Sequence, residues 1–420
     1  MSFAAPENPR RPMPEHGGRL FPMSPSTPSG KIVFLNRFYW PEEPATAQLL
    51  ADLAEELAGR GWRVRVIASH SGAAGIPAQE TRHGVEIRRV RGTRWAGSGV
   101  AGKAADFATF SLGALWALML SVRRGDRVVA LTDPPLLGIG AWVVARLRGA
   151  RMFHWIQDIY PEIAVALTGH RWLIATRPWR NLAWRRADGC VTLGSDMASV
   201  LHEEGVREEK ITVSANWAPA GLVTPGAAES GPLRAAWNLE GRFVVAYSGN
   251  LGRVHDLEPI LEVAALLRNE PRVSFVFIGS GAQRDRLRAL AEAKQLTNVG
   301  FHDAQPRRDL ARTLALADLH LVTLLPGCER LVFPSKLYGI AAVGRPVIFV
   351  GPKESALARL VEREGFGRAF GRTETSQIAE AIRSLGAGEL AAMAARADVF
   401  GRDHRGPARA ADDWDRLLRR

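Results

Sequence analysis

The sequence predicts two doubly wound α/β domains facing each other across a cleft, and three observations carry that reading. Short apolar runs of strand character alternate with segments of helical period along almost the whole chain. The alternation breaks once, in an Ala-, Gly- and Pro-rich stretch over residues 218–241, and then restarts. Glycine-bearing turns follow the first strands of the second half, at Gly249, Gly252, Gly279 and Gly281. The expected organisation is a disordered leader over 1–30, a first domain over 31–217, a linker over 218–241, a second domain over 242–400 and a terminal helix over 401–420.

Met1 to Gly30 holds seven prolines among Ser, Gly and Arg, and no apolar block of signal-peptide length. Such a stretch cannot bury enough surface to offset its ordering entropy, so it reads as a leader that does not direct export. Lys31 to Asn36 is the first buried strand. Ala47 to Arg60 then sets Leu49, Leu50, Leu53, Ala54 and Leu57 on one helical face, Gly61 ends the helix, and Trp62 to Ala68 is the next strand. The loop Phe38 to Ala47 leaves the carboxyl end of the first strand, where open sheets bind ligands. Thr46 offers its hydroxyl and amide there on the acceptor side, or simply caps the helix.

Phe107 to Val122 carries no charge and is bracketed by Lys103 and Arg123-Arg124. It is short of the roughly 20 residues a membrane span requires. Two readings stand: a buried core helix, or a helix in the membrane interface with Phe107, Phe110 and Trp116 inserted. Arg127 to Leu131 is a strand, Pro135 to Arg148 a helix, and Arg151 to Ile156 a strand that runs into Gln157-Asp158-Ile159-Tyr160-Pro161-Glu162. Asp158 and Glu162 sit where a strand end faces the cleft, so one of them is the candidate base toward an acceptor hydroxyl. Capping of the next helix by Asp158 is the alternative. A basic helix over Trp179 to Asp188 and strands at Gly189–Leu193 and Ile211–Ser214 close the half.

The second half restarts with Phe243 to Ser248 and a loop, Gly249-Asn250-Leu251-Gly252-Arg253, whose glycines let backbone approach a bound group and whose arginine offers a fork for phosphate. Helix Leu257–Leu267, strand Val273–Ile278 with the turn at Gly279, helix Arg284–Lys294, strand Asn298–His302 and helix Leu310–Ala317 follow. Strand Leu319–Leu324 leads into a loop bearing Glu329, a helix start at Pro334-Ser335-Lys336, a helix ending at Gly344 and a strand opening at Pro346. A loop that leaves a buried strand and feeds a helix N-terminus gathers unpaired N–H groups and positive dipole, which is where phosphate binds. Ser335 and Lys336 stand at that point, and Glu329 is placed to accept hydrogen bonds from sugar hydroxyls. Helices at Gln377–Leu385, Leu390–Asp398 and the amphipathic run Ala408–Arg420 complete the chain.

Composition narrows the partners. The net charge is +12, from 55 Lys+Arg against 43 Asp+Glu, with the excess arginine spread along the chain. That favours anionic partners, and the absence of any zinc-knuckle, aromatic RNA-binding or basic-region pattern argues against nucleic acid. Two distant cysteines, Cys190 and Cys328, in no metal or redox spacing, point to the cytoplasm.

The segment P-S-K-L-Y-G over 334–339, followed by A-A-V-G-R-P-V-I over 341–348, resembles the donor site of retaining glycosyltransferases of family 4, which have the GT-B fold. Within that family it is similar to bacterial members that build exopolysaccharide, O-antigen or colanic acid on a lipid carrier. Asp158, Tyr160 and Pro161 match the family's D-x-[WY]-P pattern, with Gln157 where many members have histidine. The resemblance covers roughly residues 31–400. It implies a UDP- or GDP-sugar donor without a further cofactor or metal, a lipid-diphosphate-linked saccharide acceptor, and peripheral contact with the inner membrane face.

The family's diphosphate-clamping arginine and lysine align with Asn250 and His255, so the role passes to Arg253 and Lys336, with Gly249, Gly252 and Gly279 giving close backbone approach. Phe301 and His302 would lie beside the base, and Gln157 on the acceptor side. The family's two glutamates, separated by seven residues, are absent: Leu331 and Gly339 hold those positions, and Glu329 stands in from a shifted loop. Two other readings remain open, a nucleotide-sugar epimerase on the same fold and a non-catalytic membrane-docked partner of a polysaccharide assembly complex.

Overall fold

The computed structural model describes residues 30–420 apart from 43, 71, 73–74, 94, 96–98 and 226. Apart from Gly30, the expected leader lies outside the described residues. The first sheet is built from β1 (Lys31–Leu35), β2 (Arg63–Ser69), β3 (Gln79–Arg82), β4 (Val85–Val90), β5 (Arg127–Ala130), β6 (Arg151–Trp155), β7 (Gly189–Thr192) and β8 (Ile211–Val213). Their order is β3-β4-β2-β1-β5-β6-β7-β8, parallel throughout except that β3 runs antiparallel to β4. β3 and β4 go beyond the strands expected from the sequence. They are joined by His83-Gly84, both at positive φ (46° and 78°), the conformation of a tight hairpin turn.

The second sheet contains β9 (Phe243–Ser248), β10 (Val273–Ile278), β11 (Val299–His302), β12 (Leu319–Thr323), β13 (Val347–Val350) and β14 (Gly367–Phe370). It is parallel, in the order β11-β10-β9-β12-β13-β14. Strands buried on both faces need continuous apolar sequence, and β10 and β12 are buried along their whole length. The strand order reverses between β1 and β5 in one sheet and between β9 and β12 in the other. Loops at the carboxyl ends of those pairs form the crevices where open sheets take ligands. The fold is GT-B.

Two strands of chain cross between the domains side by side. The Ala218 amide donates to the His404 carbonyl at 2.9 Å, and the Gly406 amide donates to the Ala218 carbonyl at 2.8 Å. The helix Ala408–Arg419 then packs on the first domain with Ala410, Ala411, Trp414, Leu417 and Leu418 buried. The Trp414 ring sits edge-on to Phe34 (6.3 Å) and Trp155 (5.4 Å), and Trp62 Nε1 donates to Asp415 at 2.6 Å. The tail therefore supplies part of the first domain's core. Trp414→Ala should cost about 3–5 kcal/mol by cavity formation, read as a shifted denaturant midpoint.

The uncharged stretch at Phe107–Val122 belongs to a longer helix, Gly99–Ser121. One face is core, with Phe110, Ala114, Ala117 and Leu118 buried, and the other is open, with Leu112, Trp116 and Leu120 exposed. Phe110 is thus a core residue and cannot insert elsewhere, and Phe107 is half-buried with the Arg37 guanidinium 4.7 Å from its ring centre. Of the three aromatics only Trp116 points outward. Neither sequence reading describes the whole helix, because its apolar residues go all round while the fold covers one side.

Candidate functional site

A cavity of about 610 Å³ lies between the two sheets at their carboxyl ends. The second domain contributes Ser248, Gly249, Asn250 and His255 from the loop after β9, and Phe333 to Lys336 from the loop after β12. The first domain contributes Gln48 and Asp52 of helix Ala45–Gly59, Asp158 and Tyr160 beyond β6, and Trp217 at the crossing. The apolar wall between them is made by Ile163, Leu167, Leu310 and Leu314.

Lys336 is the first residue of the helix Lys336–Ala342, with Ser335 at its N-cap making no side-chain cap bond. The Lys336 Nζ is buried and has no hydrogen-bond partner among the described residues. It stands 3.6 Å from the centre of the Tyr247 ring. Burial holds its pKa well below the ordinary lysine value. A Cβ at Gly249 would come within 3.3 Å of that Nζ, on a backbone at φ +129°. Gly249 therefore leaves space next to the ammonium, and Gly279, whose Cβ would lie 2.1 Å from the Gly249 carbonyl oxygen, lets the two loops stack. An ammonium without a counter-charge beside a cavity, at the positive end of a helix, is an arrangement that an anion completes.

His255 lines the same wall. Its Nδ1 lies 2.8 Å from the Thr323 carbonyl, and burial followed by the nearby Lys336 charge pushes its pKa down to about 3. The ring is neutral and holds the loop after β9 against the end of β12. Asn250 lines the cavity and receives on its carbonyl the Tyr247 hydroxyl at 2.8 Å.

Across the cleft, Asp158 follows β6 and Asp133 follows the neighbouring β5. Burial, then the Asp133 carboxylate, pushes the Asp158 pKa up to about 6. Asp133 is held by Arg37, Nε to Oδ1 at 3.0 Å, from the loop after β1. The Asp158 amide donates to the Thr132 hydroxyl at 3.3 Å, and Asp158 forms an isolated antiparallel bridge with Val332. The turn carrying the candidate base is thus tied to the loop that carries Ser335 and Lys336. Helix Glu162–Thr168 has Pro161 at its N-cap and no side-chain cap, so Asp158 does not serve as one.

The remaining expected residues fall elsewhere. Glu162 accepts 2.8 and 2.9 Å hydrogen bonds from Arg180, which also holds the Tyr160 carbonyl at 2.8 Å. It buttresses the 158–161 turn, and of the two carboxylates only Asp158 opens on the cavity. Gln157 is buried in a side-chain pair with Asn216 (3.3 Å). Thr46 is half-buried on the first turn of its helix, off the cavity lining, while Gln48 one residue beyond Ala47 reaches it. Glu329 is off the lining and accepts from the Gly327 amide at 2.7 Å. The expected pair of cations is not assembled, because Arg253 is exposed and off the lining. Gly252 is half-buried and also off the lining, its carbonyl accepting from Gln283 at 2.6 Å. Phe301 stacks on Phe277 (5.0 Å) and His302 on Trp237 (3.7 Å), both away from the cavity wall.

Asp52 was not among the residues expected from the sequence. Its Oδ2 accepts the Trp217 indole N–H at 3.1 Å, and burial raises its pKa. The available signal was spacing: Gln48 and Asp52 lie one helical turn apart, beside Leu49. Among the described residues no group of three or more His, Cys, Asp or Glu stands close enough to hold a metal ion.

Residues 46–217 match the family model of the glycosyl transferase 4-like domain, and residues 232–402 that of the glycosyl transferases group 1. The probable glycosyltransferase WbjE of Pseudomonas aeruginosa is 32% identical over 252 residues, which is 58% of this chain and 62% of that protein. The chain thus spans less than two thirds of that relative. The putative colanic acid biosynthesis glycosyl transferase WcaI of Escherichia coli (strain K12) is 26% identical over 350 residues, 79% of this chain and 86% of that protein. Among solved structures, Anabaena Alr3699/HepE in complex with UDP and glucose superposes with a TM-score of 0.71 at 17% identity, covering 93% of this chain and 99% of its own. Sucrose-phosphate synthase from Thermosynechococcus elongatus gives 0.76 at 16% identity, covering 93% and 98%. At these identities the likeness is one of fold.

Proposed function

The chain belongs to the glycosyltransferases of family 4, and on that premise we propose that it moves a sugar from a UDP- or GDP-sugar to a lipid-diphosphate-linked saccharide, with retention of configuration, in bacterial surface polysaccharide synthesis. The observation that carries the donor half of this reading is the buried, unpartnered Lys336 ammonium at the wall of the interdomain cavity. Departure of a nucleoside diphosphate concentrates negative charge, and positive groups fixed in advance at that point lower the barrier. Lys336, the Ser335 hydroxyl and the first amides of helix Lys336–Ala342 are those groups. No step of this chemistry is assigned to a metal. The UDP held by the fold neighbour from Anabaena supports the choice of donor class.

Asp158 takes the proton of the acceptor hydroxyl from the opposite wall, and Asp52 with Gln48 orients the acceptor sugar. Asp52→Asn should lower kcat/KM for the acceptor about tenfold while leaving donor affinity unchanged, since a hydrogen bond accepted by the carboxylate from the acceptor sugar is weakened. Steady-state kinetics with each substrate varied in turn checks it. The overall reading is tested by a thermal-shift screen of nucleotide sugars followed by an assay of UDP or GDP release. Release that depends on a lipid-linked acceptor supports transfer. Epimer formed without acceptor, or no nucleotide sugar bound at all, contradicts it. The similarity to WcaI, named for colanic acid biosynthesis, supports polysaccharide synthesis as the setting. In this reading the enzyme is cytoplasmic and in peripheral contact with the inner membrane face.

A further inference from the structure

We propose that the first domain lies on an anionic lipid surface through a face built by helix Gly99–Ser121, helix Leu137–Arg148 and the segment Arg171–Arg186, with the cleft opening beside it. Eight of the fourteen large apolar side chains that are exposed among the described residues fall between Leu112 and Trp179. On the first helix Leu112, Trp116 and Leu120 recur every four residues at 71, 65 and 58% exposure, on the side away from Phe110, Ala114 and Ala117. Only 28% of the apolar window in Gly102–Ser121 is buried. Since the other face of this helix is packed into the domain, the helix lies along a surface and does not cross one.

Helix Leu137–Arg148 packs beside it and adds Val143 and Leu147, and in turn packs on helix Arg177–Arg186. That helix and the turn before it add Trp172 and Trp179, 70 and 65% exposed. The turn Arg171–Thr176 also packs on helix Glu162–Thr168, whose Ile163 and Leu167 line the cavity. The exposed apolar face is therefore connected, element by element, to the acceptor wall of the cleft.

Charge decides what covers this face. Between residues 103 and 186 nine Lys and Arg side chains are exposed, among them Lys103, Arg123, Arg124, Arg146 and Arg148. No Asp or Glu in that span is exposed: Asp106, Asp126, Asp133, Asp158 and Glu162 are all buried or half-buried. A second copy meeting the same face by two-fold symmetry would set cations against cations. An anionic bilayer takes arginines at its headgroups while Trp and Leu enter the acyl boundary.

The proposal rests on the transferase reading only for its lipid-linked acceptor, and its test needs no donor. The full chain is mixed with vesicles of phosphatidylcholine, with and without one quarter phosphatidylglycerol, and bound protein is measured by sedimentation at low and high salt. Wild type should bind the anionic vesicles at least about tenfold more tightly than the neutral ones, with the difference shrinking in salt. Leu112→Ser/Trp116→Ser/Leu147→Ser and Arg123→Glu/Arg124→Glu/Arg146→Glu should each weaken that binding about tenfold or more at an unchanged thermal transition. Quenching of tryptophan fluorescence by lipids brominated on the acyl chains gives an independent readout on the unaltered chain. No binding to anionic vesicles, or equal binding by both variants, overturns the proposal. So does a dimer in vesicle-free buffer that the apolar variant dissolves. Such outcomes would leave nucleotide-sugar binding in the cleft unaffected.

Discussion

Lys336→Ala is expected to lower transfer by at least about 10²–10³ in kcat, the scale found when one fixed group facing developing charge is removed. The same change should not harm the fold. Among the described residues the Nζ has no ion pair or hydrogen bond to lose, only its contact with the Tyr247 ring and the cost of being buried as a charge. Lys336→Met keeps the stem's packing and removes that cost, so it should be at least as stable as wild type while equally inactive. The pH dependence has a definite sign. Burial lowers the folded-state pKa, so between that lowered value and the ordinary 10.5 the unfolded chain holds a proton that the folded chain lacks. Stability of the unliganded protein then rises with pH across that window, and Lys336→Met flattens the slope. Thermal unfolding of both proteins from pH 6 to 10 checks this. A variant that unfolds more easily but still turns over would reverse both halves of the expectation.

Asp158→Asn is the second large effect: transfer falls by about 10²–10⁴-fold, with nucleotide affinity unchanged. The proposed base acts as a carboxylate, and its pKa is pushed up to about 6. Activity should therefore be level above pH 6 and fall about tenfold per pH unit below it. For stability the sign is the opposite of the usual acid case. The folded-state pKa lies above the unfolded 3.8, so between pH 4 and 6 the folded chain holds the extra proton and stability declines as pH rises. Asp158→Asn should remove that decline. An acid limb that persists at pH 6 in a residual activity of the variant would assign the titration to another group.

The alternation of apolar runs and helical periods made both parallel sheets readable, because strands buried on two faces have little freedom in composition. Asp158, Ser335 and Lys336 were readable for a related reason: each sits where a strand ends and a helix is about to begin, and doubly wound topology turns those positions toward the cleft. What stayed hidden depended on partners distant in sequence. Glu162 looks like an open carboxylate until Arg180 folds onto it. Gln157 looks like a ligand-facing amide until Asn216 pairs with it. Arg253 shares a loop with Gly249, yet the turn at Gly252 sends it to solvent. His302 is covered by Trp237 from the linker, a contact that no local pattern announces. The strands β3 and β4 are an edge hairpin, short and charged on its outer face, which weakens the apolar signal that marked the other strands.

Calorimetric titration of UDP and of GDP into wild type and Lys336→Met tests the central claim most directly. One nucleoside diphosphate should bind wild type, its phosphates meeting the buried Lys336 ammonium. Lys336→Met should lose about tenfold to a hundredfold in affinity, the worth of one charge-assisted hydrogen bond. Equal affinity in the two proteins, or no binding of either nucleotide to wild type, would contradict it.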